Sequence, residues 1–314
     1  MPRFNFQVAM KLIFLGTSGS IPTSRRNIPS IALKMNGELL LFDVAEGTQR
    51  QMAIAHLSPM KVSSIFITHL HGDHFLGLAG LVQTMALLFR SDPLEVYCPA
   101  GERERLETYL SIPHYTLTFD VIVRELNPGD EIRRRGYRIL TSEVDHPVPS
   151  LAYAVVEDDR PGHIDVKKAE ALGLKPGPDF ARLKAGQSVR LKDGTVVKPE
   201  QVVGPPRPGR KIVYTGDTKP TERIVNLARG ADVLIHDCTL DDELADKAEE
   251  NSHSTPSRAA EVAKRAGVKL LILMHISPRY EDDSTLQEQA KKIFPNTLVA
   301  RDLMVIEVPF HNNT

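Results

Sequence analysis

The sequence predicts a mixed α/β fold in which β-sheets carry helices on their outer faces. Three observations lead there. Asn36-Gly37 between two apolar runs marks an antiparallel hairpin near the start, because both residues tolerate positive φ. Beyond it, short apolar runs of strand length alternate with segments of helical length, the order expected when helices pack against sheets. The 314 residues, 41% hydrophobic and 25% charged, supply enough apolar material for one large domain or two modest ones. That composition excludes a collagen-like chain, a coiled coil and disorder of the whole chain.

The strand candidates are residues 11–15, 31–34, 39–43, 62–68, 94–98, 137–142, 151–156, 211–215, 232–236, 269–275 and 303–308. Each is a short apolar run. The helix candidates are 47–56, 76–89, 101–110, 220–229, 256–266 and 284–293. The helix at 256 has the clearest start, with Thr255 as its cap and Pro256 in its first turn. No repeat of fixed period is visible.

Two cysteines, Cys98 and Cys238, argue against a disulfide framework and fit a reducing compartment. The first residues, MPRFNFQVAM, lack the apolar region of a secretion signal, and no apolar stretch approaches the roughly 18 residues a membrane span needs. The expectation is a cytoplasmic protein with no membrane partner.

The net charge of −1 hides an uneven distribution. Residues 160–211 hold 12 Lys+Arg against 5 Asp+Glu, and 14 of the chain's 42 Gly+Pro. Little in this window has the periodicity of a core element, so it reads as a basic, turn-rich insertion in a single domain spanning 1–314. A solvated loop whose charges only keep it soluble is the competing reading.

The chemistry concentrates in Thr68-His69-Leu70-His71-Gly72-Asp73-His74, between a strand candidate and a helix candidate. Three imidazoles and a carboxylate within six residues of a strand-to-helix turn can converge on one point. These are ligands that zinc and similar metals accept, and Gly72 lets the turn tighten. Further candidates stand at strand ends: His146 in Val144-Asp145-His146-Pro147, Asp217 in Thr215-Gly216-Asp217, and His275 after 269–274. Cys238 has no obvious paired base and reads as a buried apolar residue.

This His-x-His-x-Asp-His pattern, with a later His, a Gly-Asp and a terminal His, resembles the metallo-β-lactamase superfamily of dinuclear hydrolases. The resemblance implies a four-layer αββα sandwich. It implies one metal on His69, His71 and His146, a second on Asp73, His74 and His275, and Asp217 bridging them. A carboxylate has two oxygens for a bridge, whereas an imidazole has one free lone pair.

Within that superfamily the chain is similar to the ribonuclease Z family of tRNA 3′-processing endonucleases. The likeness is carried by Leu15-Gly16-Thr17-Ser18-Gly19-Ser20-Ile21-Pro22-Thr23 with Arg26-Asn27, by Phe42-Asp43, and by Glu46-Gly47-Thr48-Gln49-Arg50-Gln51. His253-Ser254-Thr255 and His275-Ile276-Ser277-Pro278-Arg279-Tyr280 extend it almost to the C-terminus. Leu172-Gly173-Leu174-Lys175-Pro176-Gly177-Pro178 resembles the glycine-proline element of that family's flexible tRNA-binding arm, which makes residues 160–211 the arm and Gly177 and Pro178 substrate contacts. Val44-Ala45 and His236-Asp237-Cys238-Thr239 depart from the usual Cys-Gly and His-Glu-Ala-Thr segments. Asp237 keeps the charge with one methylene less reach.

The resemblance implies hydrolysis of precursor tRNA that leaves a 3′-hydroxyl on the tRNA and a 5′-phosphate on the trailer. It implies two Zn²⁺ per subunit, with Mn²⁺ or Fe²⁺ accepting similar ligands. Asp73 would orient the attacking water or take its proton, and His253, steered by Asp237, would protonate the departing oxygen. Arg26, Arg279, Tyr280 and the 18–23 loop would contact phosphate, and a homodimer would let one subunit's arm serve the other's site. Two other readings remain open at this point: another dinuclear hydrolase acting on a small phosphodiester, thioester or lactone, and an RNA-binding relative without catalysis.

Overall fold

The computed structural model describes residues 10–310, so the reading of residues 1–9 lies outside it. Residues 10–156 and 211–309 form one compact unit, and 157–210 with Phe310 form a second. Two seven-stranded sheets build the first unit.

The first half of the chain supplies one sheet and its helices. In order these are β1 (Met10–Gly16), β2 (Ser30–Met35), β3 (Glu38–Phe42), α1 (Thr48–Ile54), β4 (Val62–Phe66), α2 (Gly72–Phe75), α3 (Leu78–Leu87), β5 (Leu94–Pro99), α4 (Arg103–Ser111) and β6 (Val121–Leu126). β7 (Glu131–Arg134), β8 (Tyr137–Glu143) and β9 (Leu151–Glu157) begin the second sheet. The second unit holds α5 (Val166–Ala171), α6 (Pro178–Lys184), β10 (Val189–Arg190), β11 (Val196–Val197) and α7 (Pro199–Val202). β12 (Lys211–Tyr214), α8 (Glu222–Ala228), β13 (Val233–Asp237), α9 (Ala245–Glu250), α10 (Pro256–Ala266), β14 (Leu270–Met274), α11 (Ser284–Lys291) and β15 (Thr297–Val299) complete the second sheet. β16 (Val305–Val308) returns to pair antiparallel with β1.

Three buried layers make this an αββα sandwich. Alternate residues of the strands, among them Leu12, Phe14, Leu33, Phe42, Phe66, Tyr153, Tyr214 and Ile235, fill the space between the sheets. The opposite faces pack under helices. Ile13, Leu41 and Ile65 join Met52, Leu81 and Met85 on one side, and Val213, Leu234 and Leu271 join Ile224, Ala260 and Leu286 on the other. Burial on both faces is why the strands read as continuous apolar runs.

Asn36 and Gly37 both have positive φ in the β2–β3 hairpin, where Met35 pairs with Glu38. Five strands were not expected: β6, β7 and β15 of the large sheets, and the two-residue β10 and β11 of the second unit. β6 and β7 are edge strands, and β7 reads Glu-Ile-Arg-Arg with no fully buried residue, so the apolar signal is weak. The helix expected at 76–89 is α3, and the single turn α2 precedes it as a separate piece; between them stands Gly77, where a Cβ would lie 2.0 Å from the Ala45 carbonyl oxygen. Thr255 occupies the N-cap of α10, but its side chain makes no capping bond.

The second unit differs from a structureless loop. Ala169, Leu174, Leu183, Val189, Val197 and Val202 are buried together in a small core of its own. Its boundaries also start earlier than 160, taking in Glu157, Asp158 and Asp159. Glu157 faces the Arg210 guanidinium at 2.8 Å, so acidic side chains gather at the root of the unit. Lys175, Arg190 and Lys192 line a cleft of about 630 Å³ with Gly177 and Pro178.

Candidate metal centre

The parallel strands β12, β13 and β14 all end at one edge of their sheet. Asp217 follows β12, Asp237 closes β13 and His275 follows β14, so three chemical side chains are delivered to one place by topology alone. Gly216 and His275 have φ of 61° and 63°, and these tight turns bring the side chains back over the strand ends. β4 of the other sheet ends at Phe66, and Thr68-His69-Leu70-His71 forms the loop after it. Asp73 and His74 ride on α2, the single helical turn that follows.

Ligand-type atoms from His69, His71 and His146 gather within 4.8 Å of one another, as do those of Asp73, His74 and His275 and those of His69, His74 and Asp217. His146 Nε2 lies 3.2 Å from His71 Nδ1. That is close to the edge of a tetrahedral ligand set with metal–nitrogen bonds of about 2.0–2.1 Å. Asp217 lies between the sets. One oxygen is 3.8 Å from His69 Nε2 and 3.2 Å from His275 Nε2, and the other is 3.4 Å from His74 Nε2.

His69 Nε2, His74 Nε2 and Asp217 Oδ1 are buried without a hydrogen-bond partner among the described residues. Buried polar atoms are rarely left so, and three aimed at one space fit a divalent metal centre better than a packed core. Burial lowers the pKa of His69 well below its usual value, with His74 adding to the effect, which favours the neutral imidazole. Burial opposes charge on Asp217, but His275 and His74 hold its carboxylate well below the ordinary range.

The sequence reading missed the residues that orient this set. Asp43, buried and with φ of 57°, accepts hydrogen bonds from the Thr68 amide at 2.7 Å, the Thr68 hydroxyl at 2.9 Å, and the Tyr214 hydroxyl at 2.9 Å. His74 Nδ1 is 2.8 Å from the same carboxylate. Bonding at Nδ1 turns Nε2 toward the centre. Phe42-Asp43 stood among the family-like segments, but nothing local says that Asp43 faces His74.

Asp237 and His253, expected as partners, meet at 2.7 Å through His253 Nδ1. Burial alone would lower the His253 pKa, yet the Asp237 carboxylate raises it to about 9. The His253 ring stacks on that of His275 with centroids 5.2 Å apart, placing this imidazole beside the candidate metal set.

Known proteins resemble this chain along most of its length. Residues 187–276 match the family described as "Beta-lactamase superfamily domain", and residues 10–114 match "Anti-Pycsar protein Apyc1". Ribonuclease Z of Methanosarcina acetivorans is 48% identical over 96% of this chain and 99% of its own length. That of Archaeoglobus fulgidus is 49% identical, with 96% and 98% covered. This chain belongs to the ribonuclease Z family. The crystal structure of human tRNase Z, short form, is 31% identical with a TM-score of 0.71, covering 96% of this chain and 100% of that one.

Membership in the ribonuclease Z family sharpens the reading of the other candidates. Arg26 was expected to meet substrate phosphate, but its guanidinium is used inside the fold. It donates to the Ala300 carbonyl and Thr17 hydroxyl at 2.6 Å each and pairs with Asp283 at 2.5 Å. The exposed neighbour Arg25 is the cation of this loop that faces solvent. The Tyr280 hydroxyl accepts the Asp241 amide at 2.8 Å and braces its own loop. Arg279 is exposed and makes no ion pair among the described residues. Cys238 is fully buried against the outer helices, and burial pushes its thiol pKa well up, as suits a packing residue.

The 18–23 loop touches the site through its backbone. Ser20 donates its amide to Asp73 Oδ2 at 2.8 Å, and a Cβ at Gly19 would lie 2.7 Å from the His275 ring. Gly19→Ala therefore displaces either the loop or His275. Cleavage is expected to fall by about 10–100-fold at unchanged helix content, measured by initial rates beside circular dichroism.

Proposed function

We infer that this protein cleaves precursor tRNA once at its 3′ end, leaving a 3′-hydroxyl on the tRNA and a 5′-phosphate on the trailer. The observation that carries the reading is the buried His/Asp set beside an Asp-paired histidine, in a chain that matches ribonuclease Z relatives end to end. The residues fit two Zn²⁺: His69, His71 and His146 for one, Asp73, His74 and His275 for the other, and Asp217 between. When bound, such ions lower the pKa of water and neutralise charge on the phosphoryl oxygens.

The chain's own residues do the rest. Asp73, fixed by the Ser20 amide, orients the attacking water and takes its proton as the new P–O bond forms. The bond from phosphorus to the tRNA 3′ oxygen breaks, and His253 gives its proton to that oxygen. Asp237 holds His253 charged for this step and accepts no proton itself.

The second unit is the tRNA-binding arm in this reading. Lys175, Arg190 and Lys192 are exposed, lack ion pairs among the described residues, and line a cleft with Gly177 and Pro178, so they can neutralise phosphates. A homodimer is supported by an exposed apolar run at the end of α3. Leu87, Leu88 and Phe89 at the end of α3 are 69%, 50% and 83% exposed. The reading places the protein in the cytoplasm; among the described residues no helix is long and apolar enough to cross a membrane.

The test pairs precursor tRNA with bis(p-nitrophenyl) phosphate and reads products at nucleotide resolution. Wild type should cut once near the end of the acceptor stem. Replacing Lys175, Arg190 and Lys192 by Ala should raise KM for precursor tRNA by about 10–100-fold and reduce the log–log slope of its salt dependence by about 2–3. Hydrolysis of the small diester should not change. Equal loss on both substrates would point to a small-molecule hydrolase and remove the arm from substrate binding.

A further inference from the structure

Thr239 lies between two groups that the reaction needs and was assigned no role by its sequence context. Its hydroxyl oxygen is 2.7 Å from Asp237 Oδ1 and 2.8 Å from His275 Nδ1. The other Asp237 oxygen receives the Thr218 amide at 3.1 Å and faces His253 Nδ1 at 2.7 Å. Asp237 and Thr239 are buried, at 1% and 8% exposure.

Proton counting fixes the direction of each bond. A threonine hydroxyl has one proton to give, and a carboxylate has none. The Thr239 proton therefore goes to Asp237, and the Thr239 oxygen accepts from His275 Nδ1–H. With its proton on Nδ1, His275 presents the lone pair of Nε2, the atom 3.3 Å from Asp73 and 3.2 Å from Asp217. On the other sheet the same arrangement recurs. The Thr68 hydroxyl donates to Asp43 and stands 3.0 Å from His69 Nδ1, whose Nε2 is one of the unpartnered buried atoms.

We propose that Thr239 is a positioning residue, and that through it the single Asp237 carboxylate anchors both the metal-facing tautomer of His275 and the proton donor His253. The proposal rests on His275 as a ligand and His253 as the acid. Its consequence is that the distance between ligand and donor is set by one side chain, within a chain of hydrogen bonds that excludes the wrong tautomer of His275.

The test uses the full chain with Thr239→Val, Thr239→Ala and Thr239→Ser, and His253→Ala beside them. Zinc affinity is read by competition with a chelating dye, and histidine tautomers by ¹⁵N NMR of the zinc-loaded protein. Loss of the hydroxyl in the Val and Ala variants should weaken zinc binding about 10–100-fold and blur the His275 Nδ1–H signature, while Ser restores both. His253→Ala should bind zinc like wild type. It should slow a normal precursor tRNA far more than one with sulfur in place of the bridging 3′ oxygen, because a thiolate leaves without a proton. Thr239→Val should slow both substrates. Wild-type zinc affinity and an unchanged His275 signature in the Val and Ala variants would overturn the proposal. Failure of the wild type to cut precursor tRNA would instead count against the functional reading, and the zinc and NMR results would stand apart from it.

Discussion

Asp217→Ala is expected to abolish cleavage of precursor tRNA, by more than about 10³-fold, with fewer metal ions retained per purified chain; loss of an outer partner alone typically costs 10–100-fold in metal affinity or activity. The effect is large because Asp217 belongs to both halves of the site. Its oxygens approach His69, His74 and His275 at 3.8, 3.4 and 3.2 Å. It is nearly fully buried, and one oxygen has no hydrogen-bond partner among the described residues. Alanine removes the central anion and leaves imidazoles from two sheets facing a void. Metal analysis and single-turnover cleavage on one preparation check the result. A variant holding two metals per chain and cutting at the wild-type rate would remove Asp217 from the centre.

Asp43→Ala is expected to lower stability by about 3–5 kcal/mol, the range for breaking a buried charged network. Asp43 is wholly buried and joins Thr68, His74 and Tyr214, which come from a loop of one sheet, the following helix and a strand of the other. Removing it leaves a threonine hydroxyl, an imidazole nitrogen and a phenol without their acceptor. Metal binding should weaken as well, because His74 loses the contact that turns Nε2 toward the site. Denaturant unfolding of the metal-free chain separates the two effects. An unchanged unfolding midpoint there would show that the network contributes to metal binding alone.

Much of the site was legible before any coordinates. The cluster from His69 to His74 carries its candidate ligands within six residues, and strand ends at Asp217 and His275 were visible as apolar runs closing on a polar residue. Asp237 and His253 were paired on a resemblance, and they meet in space. What escaped were residues whose partners are remote in the chain. Arg26 looked like a phosphate ligand, but its acceptors Asp283 and Ala300 lie more than 250 residues away. Thr239 and Thr68 are ordinary residues until two elements converge on them. β7 escaped for another reason: an edge strand half in solvent lacks the apolar run that marks a buried one.

By itself the sequence determined the candidate ligand types, the αβ alternation and the hairpin at Asn36-Gly37, because these depend on residues near one another and on which side chains prefer which backbone. The tertiary structure decided the rest. Parallel pairing of β12, β13 and β14 set Asp217, Asp237 and His275 on one edge, and the packing of two sheets brought them to His69 and His74. It also decided which way each imidazole faces, because a tautomer is chosen by the hydrogen-bond partner at its far nitrogen, and those partners come from other segments of the chain.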